Sequence, residues 1–286
     1  MNGHLRGILW ALVAVTSFAL MGLLVKAVNL RFAFSAAELV FWRTMPAIFL
    51  LGLAVWRRGG SLRTPLWKLH LGRSISGAVS MTCFFYALSR LPLATAVTLS
   101  YTSSLSLALL SFLLLGEKIR PLTLAALGLG LAGVILLLQP QLAGLDRLGL
   151  LSAIASSLLA GWAYLQLRAM GQLNEPSWRI VFYFSVISTL LSAALASISG
   201  WHGLSWAALP PLAGICLSAL LGQLALTNAY RVGEKFTVAA LSYLTVVFSA
   251  IFAHFYFNEA LGWSQILAMS VIIGAGILSA MPPKNR

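Results

Sequence analysis

One arginine stands inside an apolar run. In ELVFWRTMP (38–46), Arg43 has Val40, Phe41 and Trp42 before it and Met45 and Pro46 after it. An unpaired guanidinium in hydrocarbon costs several kcal/mol, so Arg43 must face a cavity or a partner. Its planar fork of donors suits a carboxylate or another anion. The competing reading is structural: Glu38 or backbone carbonyls neutralise Arg43, which then only locks helices. Pro46, three residues on, should loosen the helix and free carbonyls near this point. Lys26 and Glu38 fall near a span end, where snorkelling accounts for both.

A second group of candidates is aromatic. Trp42, Tyr86, Tyr101, Trp162, Tyr164, Tyr183 and Tyr243 fall within apolar segments, whereas Trp56, Trp67, Trp178, Trp201, Trp206 and Trp263 sit near segment ends, as interfacial belts do. Tyr and Trp bodies bury an apolar ligand while their polar tips orient it; any one of them can equally be a packing residue. Thr95, Thr98, Thr102 and Ser106 are spaced 3, 4 and 4 apart and share one helical face. Such a stripe lines a watery path or lets two helices approach closely. Gln166, Gln223 and Asn228 are uncharged polar groups inside or near the inner ends of spans six and eight, where one or more could reach a ligand. The small pairs Gly128/Ala132 and Ser270/Gly274 point to close helix packing.

The absences are as informative. All six acids, Glu38, Glu117, Asp146, Glu175, Glu234 and Glu259, fall at or near span ends, which disfavours a proton antiporter built on a buried carboxylate and the export of lipophilic cations. Glu117 and Glu259 suit helix capping or local donors better than substrate. His4, His70, His202 and His254 are scattered, and neither H-E-x-x-H, C-x-x-C nor a phosphate-cradling glycine loop occurs. No enzyme, metal or cofactor is expected. Cys83 and Cys216 read as small core residues.

The elements that must position these residues follow from composition. Of 286 residues 60% are hydrophobic and 9% charged, which excludes a water-soluble globule. Apolar runs near 5–28, 35–56, 70–90, 91–115, 121–139, 148–170, 177–199, 207–231, 234–257 and 263–281 are each long enough to cross a bilayer as a helix. The fold class is therefore all-α and polytopic, with ten transmembrane helices in a single membrane domain. The first run has no cleavage-site pattern and reads as a retained span. The net charge of +13 concerns orientation, not nucleic acid. With the N-terminus in the cytoplasm the inner segments hold 14 basic residues, Arg73 among them, and the outer segments 4. Both termini are therefore expected in the cytoplasm.

Offset by 142 residues, positions 87–138 and 229–280 share ten identities, including Leu99-Ser100-Tyr101 with Leu241-Ser242-Tyr243 and Glu117 with Glu259. Each half, 1–140 and 146–282, then holds five spans, and an odd number forces the second half into the membrane inverted. Inverted repeats are a recurrent architecture of secondary transporters, with the substrate site between them at mid-depth.

The residues that carry the repeat also carry a resemblance. LLLGEKIRPLTLAALGLGLAGVILL (113–137) and FYFNEALGWSQILAMSVIIGAGIL (255–278) resemble the paired ends of the EamA family in the drug/metabolite transporter superfamily, and GQLALTNAYRVGEKFTVAALSYLTVVFSAIF (222–252) is similar to its eighth and ninth helices. Many members carry a proline in the fourth helix, where this chain has TLSYTSSLS (98–106). The resemblance implies an inner-membrane carrier of small metabolites. Within that class, one buried cation amid aromatics favours amino acids, aromatic ones included, with Arg43, Trp42, Tyr86, Tyr101, Trp162, Gln166 and Tyr243 as substrate-binding residues. A nucleotide-like metabolite such as S-adenosylmethionine is the alternative; a sensor or lipid enzyme is less favoured. Fusion of both halves in one chain leaves a monomer self-sufficient.

Overall fold

The computed structural model describes residues 3–32, 34–140, 144, 146–258 and 261–281, so the repeat-matched Glu259 and the basic Lys284 and Arg286 lie outside the described residues. The described residues are helical with no strand among them: α1 (Gly3–Asn29), α2 (Ala36–Arg57), α3 (Trp67–Arg90), α4 (Leu93–Tyr101), α5 (Ser103–Leu115), α6 (Pro121–Leu138), α7 (Arg147–Gln172), α8 (Ser177–Ser199), α9 (Leu209–Val232), α10 (Lys235–Leu241), α11 (Leu244–Phe257) and α12 (Trp263–Ala280).

Helix ends sit where local chemistry stops or starts them. Ser35 and Glu38 form a capping box that opens α2, Asp146 accepts from Gly149 N at 2.7 Å to open α7, and Pro121 starts α6. Gly116 at φ +63° ends α5 and Gly200 at φ +90° ends α8, conformations that glycine adopts without strain.

Among the described residues nine segments are long and apolar enough to cross a membrane, with 93–115 and 235–257 each counted as one. α3 is as long but more polar, because His70, Arg73, Ser74, Ser76 and Ser80 are buried along it. Two expected spans are broken rather than continuous. α4 gives way to α5 at Thr102, and α10 to α11 at Ser242 and Tyr243. The first break directly follows its matched triplet and the second falls within its own. Ser100 Oγ donates to the Val97 carbonyl at 2.7 Å, and its repeat equivalent Ser242 donates to the Ala239 carbonyl at 2.6 Å. A hydroxyl bonded to the carbonyl three residues back competes with the helical ladder and bends it. The i→i−3 bonds from Thr102 N to Leu99 O and from Tyr243 N to Ala240 O tighten both turns.

Packing between the halves is reciprocal. α1 packs along α9 and α3 along α7, two pairs that exchange under the repeat, while α2 packs on α8 and α6 on α12. Small residues make the approaches close. Ser80 Oγ donates to the Ser156 carbonyl at 2.7 Å and Ser156 Oγ to the Ser80 carbonyl at 2.8 Å, zipping α3 to α7. At the α6–α12 crossing the contact residues differ from those expected. Gly128 and Gly274 border open space, whereas Gly133 lies against Ile272 and the Ala268 carbonyl, and Gly130 lies under the Tyr243 ring. A rotation of about 100° per residue puts Gly130 and Gly133 on the buried face and turns Gly128 outward.

Candidate functional site

Where the reciprocal pairs meet, a cavity of about 310 Å³ opens between α1, α2, α3, α7, α8 and α9 and the broken segments. Its lining includes Phe18, Arg43, Arg73, Ser80, Tyr101, Tyr164, Phe184, Gln223 and Thr245. Both helix breaks reach it, through Ser100, Tyr101 and Ser103 on one side and Ser242 and Thr245 on the other. Among the described residues no Asp or Glu lines it.

Arg43 faces this cavity, and its Nη1 lies 3.8 Å from Met81 Sδ, a weak acceptor. Glu38 does not neutralise it. The Glu38 carboxylate is fully buried and accepts from Ser35 N (2.7 Å), His202 N (2.6 Å) and His202 Nδ1 (2.7 Å). Glu38 is thus a cap and tether, not a snorkelling side chain. Tyr101 also lines the cavity, with the Tyr243 ring behind it at 5.9 Å.

The other expected site residues stand elsewhere. Tyr243 is fully buried between Tyr101 and Gly130. Trp42 packs edge-on against Phe41 beside Leu39, Leu212 and Ile215. Tyr86 is exposed and borders an apolar groove between α2, α3 and α8, with the Arg90 guanidinium over its ring. Trp162 and Gln166 face a separate recess near Glu117 and Lys235, and Gln166 accepts from Ser76 Oγ at 3.1 Å. The hydroxyl stripe divides by depth: Thr102 and Ser106 both meet Ser157 Oγ at 2.7 Å and join the broken segment to α7.

The residue that sequence reasoning missed is Arg73. Counted there as a flanking charge, it lies on the seventh residue of α3, is 5% exposed and lines the cavity. The signal was present. Ser76 and Ser80 follow it at i+3 and i+7, which extends one polar helix face inward, and a cation on that face points to the interior.

Two sequence segments match one family model, the EamA-like transporter family, over residues 5–139 and 147–281. The chain belongs to that family. Among curated proteins, this EamA-like transporter is 29% identical to the pseudopaline exporter CntI of Pseudomonas aeruginosa, with 88% of each chain covered. It is 27% identical to a riboflavin transporter of Rhizobium johnstonii over 93% of this chain and 90% of that one. A solved crystal structure at 20% identity superposes with a TM-score of 0.84 and covers 96% of both chains, which establishes the fold alone. The chain is a multi-pass membrane transporter of small metabolites and not an enzyme.

The EamA-like transporter carries polar ties at both ends of its cavity. On the face where α1 begins and α12 ends, His4 Nε2 meets the Ala280 carbonyl at 2.9 Å. Glu175, in the α7–α8 turn, accepts from Arg179 Nη1 (2.8 Å) and pairs with His70 Nε2 (2.9 Å), and Arg179 Nη2 reaches the Ser61 carbonyl (2.8 Å). Lys235 Nζ meets Glu117 Oε2 at 2.6 Å, and Arg168 donates to the carbonyls of Tyr230, Arg231 and Gly233 at the end of α9. A cation there complements the helix dipole. On the opposite face, Glu38 and His202 tie the start of α2 to the α8–α9 loop.

Proposed function

We propose that this EamA-like transporter is an inner-membrane secondary carrier, an exporter or facilitator of small amphipathic metabolites, with amino acids, aromatic ones included, as its leading class. Two inverted five-helix repeats, 1–140 and 146–282, rock about the cavity to give alternating access. Arg43 holds the substrate carboxylate, and Tyr101 and Tyr164 flank the substrate body. The observation that carries this reading is a cation with a poor protein acceptor facing an aromatic-lined cavity. The reciprocal pairing of α1 with α9 and α3 with α7 supports the inverted repeat. Both termini lie in the cytoplasm, in keeping with the basic excess on that side. One chain suffices. A nucleotide-like substrate such as S-adenosylmethionine is the second reading, supported by the likeness to a riboflavin transporter.

The test is uptake into proteoliposomes of radiolabelled aromatic, aliphatic and anionic amino acids beside S-adenosylmethionine, each with and without a pH gradient. Saturable, gradient-independent amino acid flux that Arg43→Gln abolishes is the expected result. Normal flux in Arg43→Gln removes the anchor, and flux for S-adenosylmethionine alone replaces the substrate class.

A further inference from the structure

The cavity holds not one cation but two, and they are placed differently from an ordinary ion-pair network. Arg73 is 5% exposed, and its Nε and Nη1 have no hydrogen-bond partner among the described residues. What it does have is the face of Phe184, 4.7 Å from its guanidinium carbon. The Arg73 side chain runs along α3 toward the cavity, because a Cβ placed on Gly77 would strike its Nη1. Arg73 thus meets α3 at Gly77 and Arg43 meets it at Met81, one turn further along the helix.

Arg73, buried, and Arg43, half-buried, both lose hydration in this cavity, and among the described residues no carboxylate lines it to offset that cost. Among the described residues, the lining supplies only hydroxyls, one amide and aromatic faces. A group of opposite charge must therefore come with the cargo. A zwitterionic amino acid with a neutral side chain matches one guanidinium, leaves the other unpaired and sets its ammonium against both. A molecule with two acidic groups matches each.

Resting on the carrier reading above, we propose that the cavity binds a substrate with two carboxylates, or chemically equivalent anions, one held by Arg43 and the other by Arg73, with Tyr101 and Tyr164 along the chain that joins them. Both cations belong to the first half. Their repeat equivalents are Ser185 and Ile215, so the second half offers no matching pair of cations at these positions.

L-Glutamate and L-glutamine differ in this respect by one charge at nearly constant shape, and glutarate removes the ammonium. In proteoliposomes of the full chain, glutamate and glutarate compete for transport at concentrations about tenfold or more below glutamine and phenylalanine. Arg73→Gln brings glutamate to parity with glutamine by raising the concentration at which glutamate competes, and Arg73→Lys restores part of the discrimination. Independently of any variant, glutarate raises the thermal midpoint of the native protein and glutaramide does not. Equal or better recognition of glutamine, or undiminished discrimination in Arg73→Gln, overturns the two-anion site while leaving an amino acid carrier. Absence of saturable flux for every probe, with no thermal shift from glutarate, overturns the carrier reading as well.

Discussion

A guanidinium held at depth needs an anion, water or an aromatic face, and Arg43 and Arg73 meet that need incompletely within the protein. The weak sulfur contact of Arg43 and the Phe184 face beneath Arg73 replace little of the hydration each has lost. This is an unfavourable arrangement for stability alone and a useful one for an anion. Arg43→Gln is therefore expected to raise the half-saturating concentration of a carboxylate substrate by about tenfold or more, read in proteoliposomes, while its thermal midpoint stays at or above that of the native chain. Gly130 presents the opposite case. Any side chain there meets the Tyr243 ring, which is itself fully buried. Gly130→Leu should cost about 1–3 kcal/mol or more by overpacking and shows as a lower thermal midpoint and a smaller monodisperse fraction on size exclusion.

Among the elements, the two broken spans stand out because the same hydroxyl bond sits beside both breaks. Ser100 and Ser242 occupy one position of the repeat and back-bond to equivalent carbonyls. Replacing both with Ala removes the competition with the helical ladder. The double variant is expected to melt no lower than the native chain and to transport more slowly, measured as initial rates against thermal midpoint in one preparation. The α7–α8 turn gives a pH dependence. Burial alone would raise the Glu175 carboxyl, but the hydrogen bonds from Arg179 and His70 outweigh burial and hold it below its ordinary value of 4.5. A carboxylate with a lowered folded pKa contributes stability above 4.5 and loses it as the pH falls through the folded value. Glu175→Gln should therefore melt below the native chain at pH 7, and the gap should close in buffers more acidic than that range.

At the scale of the whole molecule, α1 packs on α9 and α3 on α7 reciprocally, so the cavity is walled by helices of both halves. The Lys235–Glu117 pair ties the loop after α5 to the start of α10 on the face where α1 begins and α12 ends. With Cys83 and Cys216 replaced, Glu117→Cys with Lys235→Cys bridged by a short bifunctional thiol reagent should abolish transport, and a reducible bridge should restore it on reduction. Undiminished flux in the bridged protein would show that this contact does not open during the cycle.

Class, span number, family and the mid-depth cation were legible in the sequence because they rest on local quantities: apolar runs of membrane length, an odd span count in each half, and one arginine too deep to reach water. The matched Leu-Ser-Tyr triplets were visible too, though not that both mark breaks, since a serine reveals its back-bond only once the helix has formed. Arg73 was misread for a related reason. From the sequence it sits near a run of basic residues, and only the packing of α3 between α7 and α8 turns that helix's serine face, and the arginine at its start, toward the cavity. Trp42, Tyr86, Trp162 and Gln166 lie within apolar spans as Arg43 does, but a position along a helix does not say which face looks inward. That azimuth is set by neighbouring helices far away in the chain, and so it was the tertiary structure alone that decided which polar groups share one cavity.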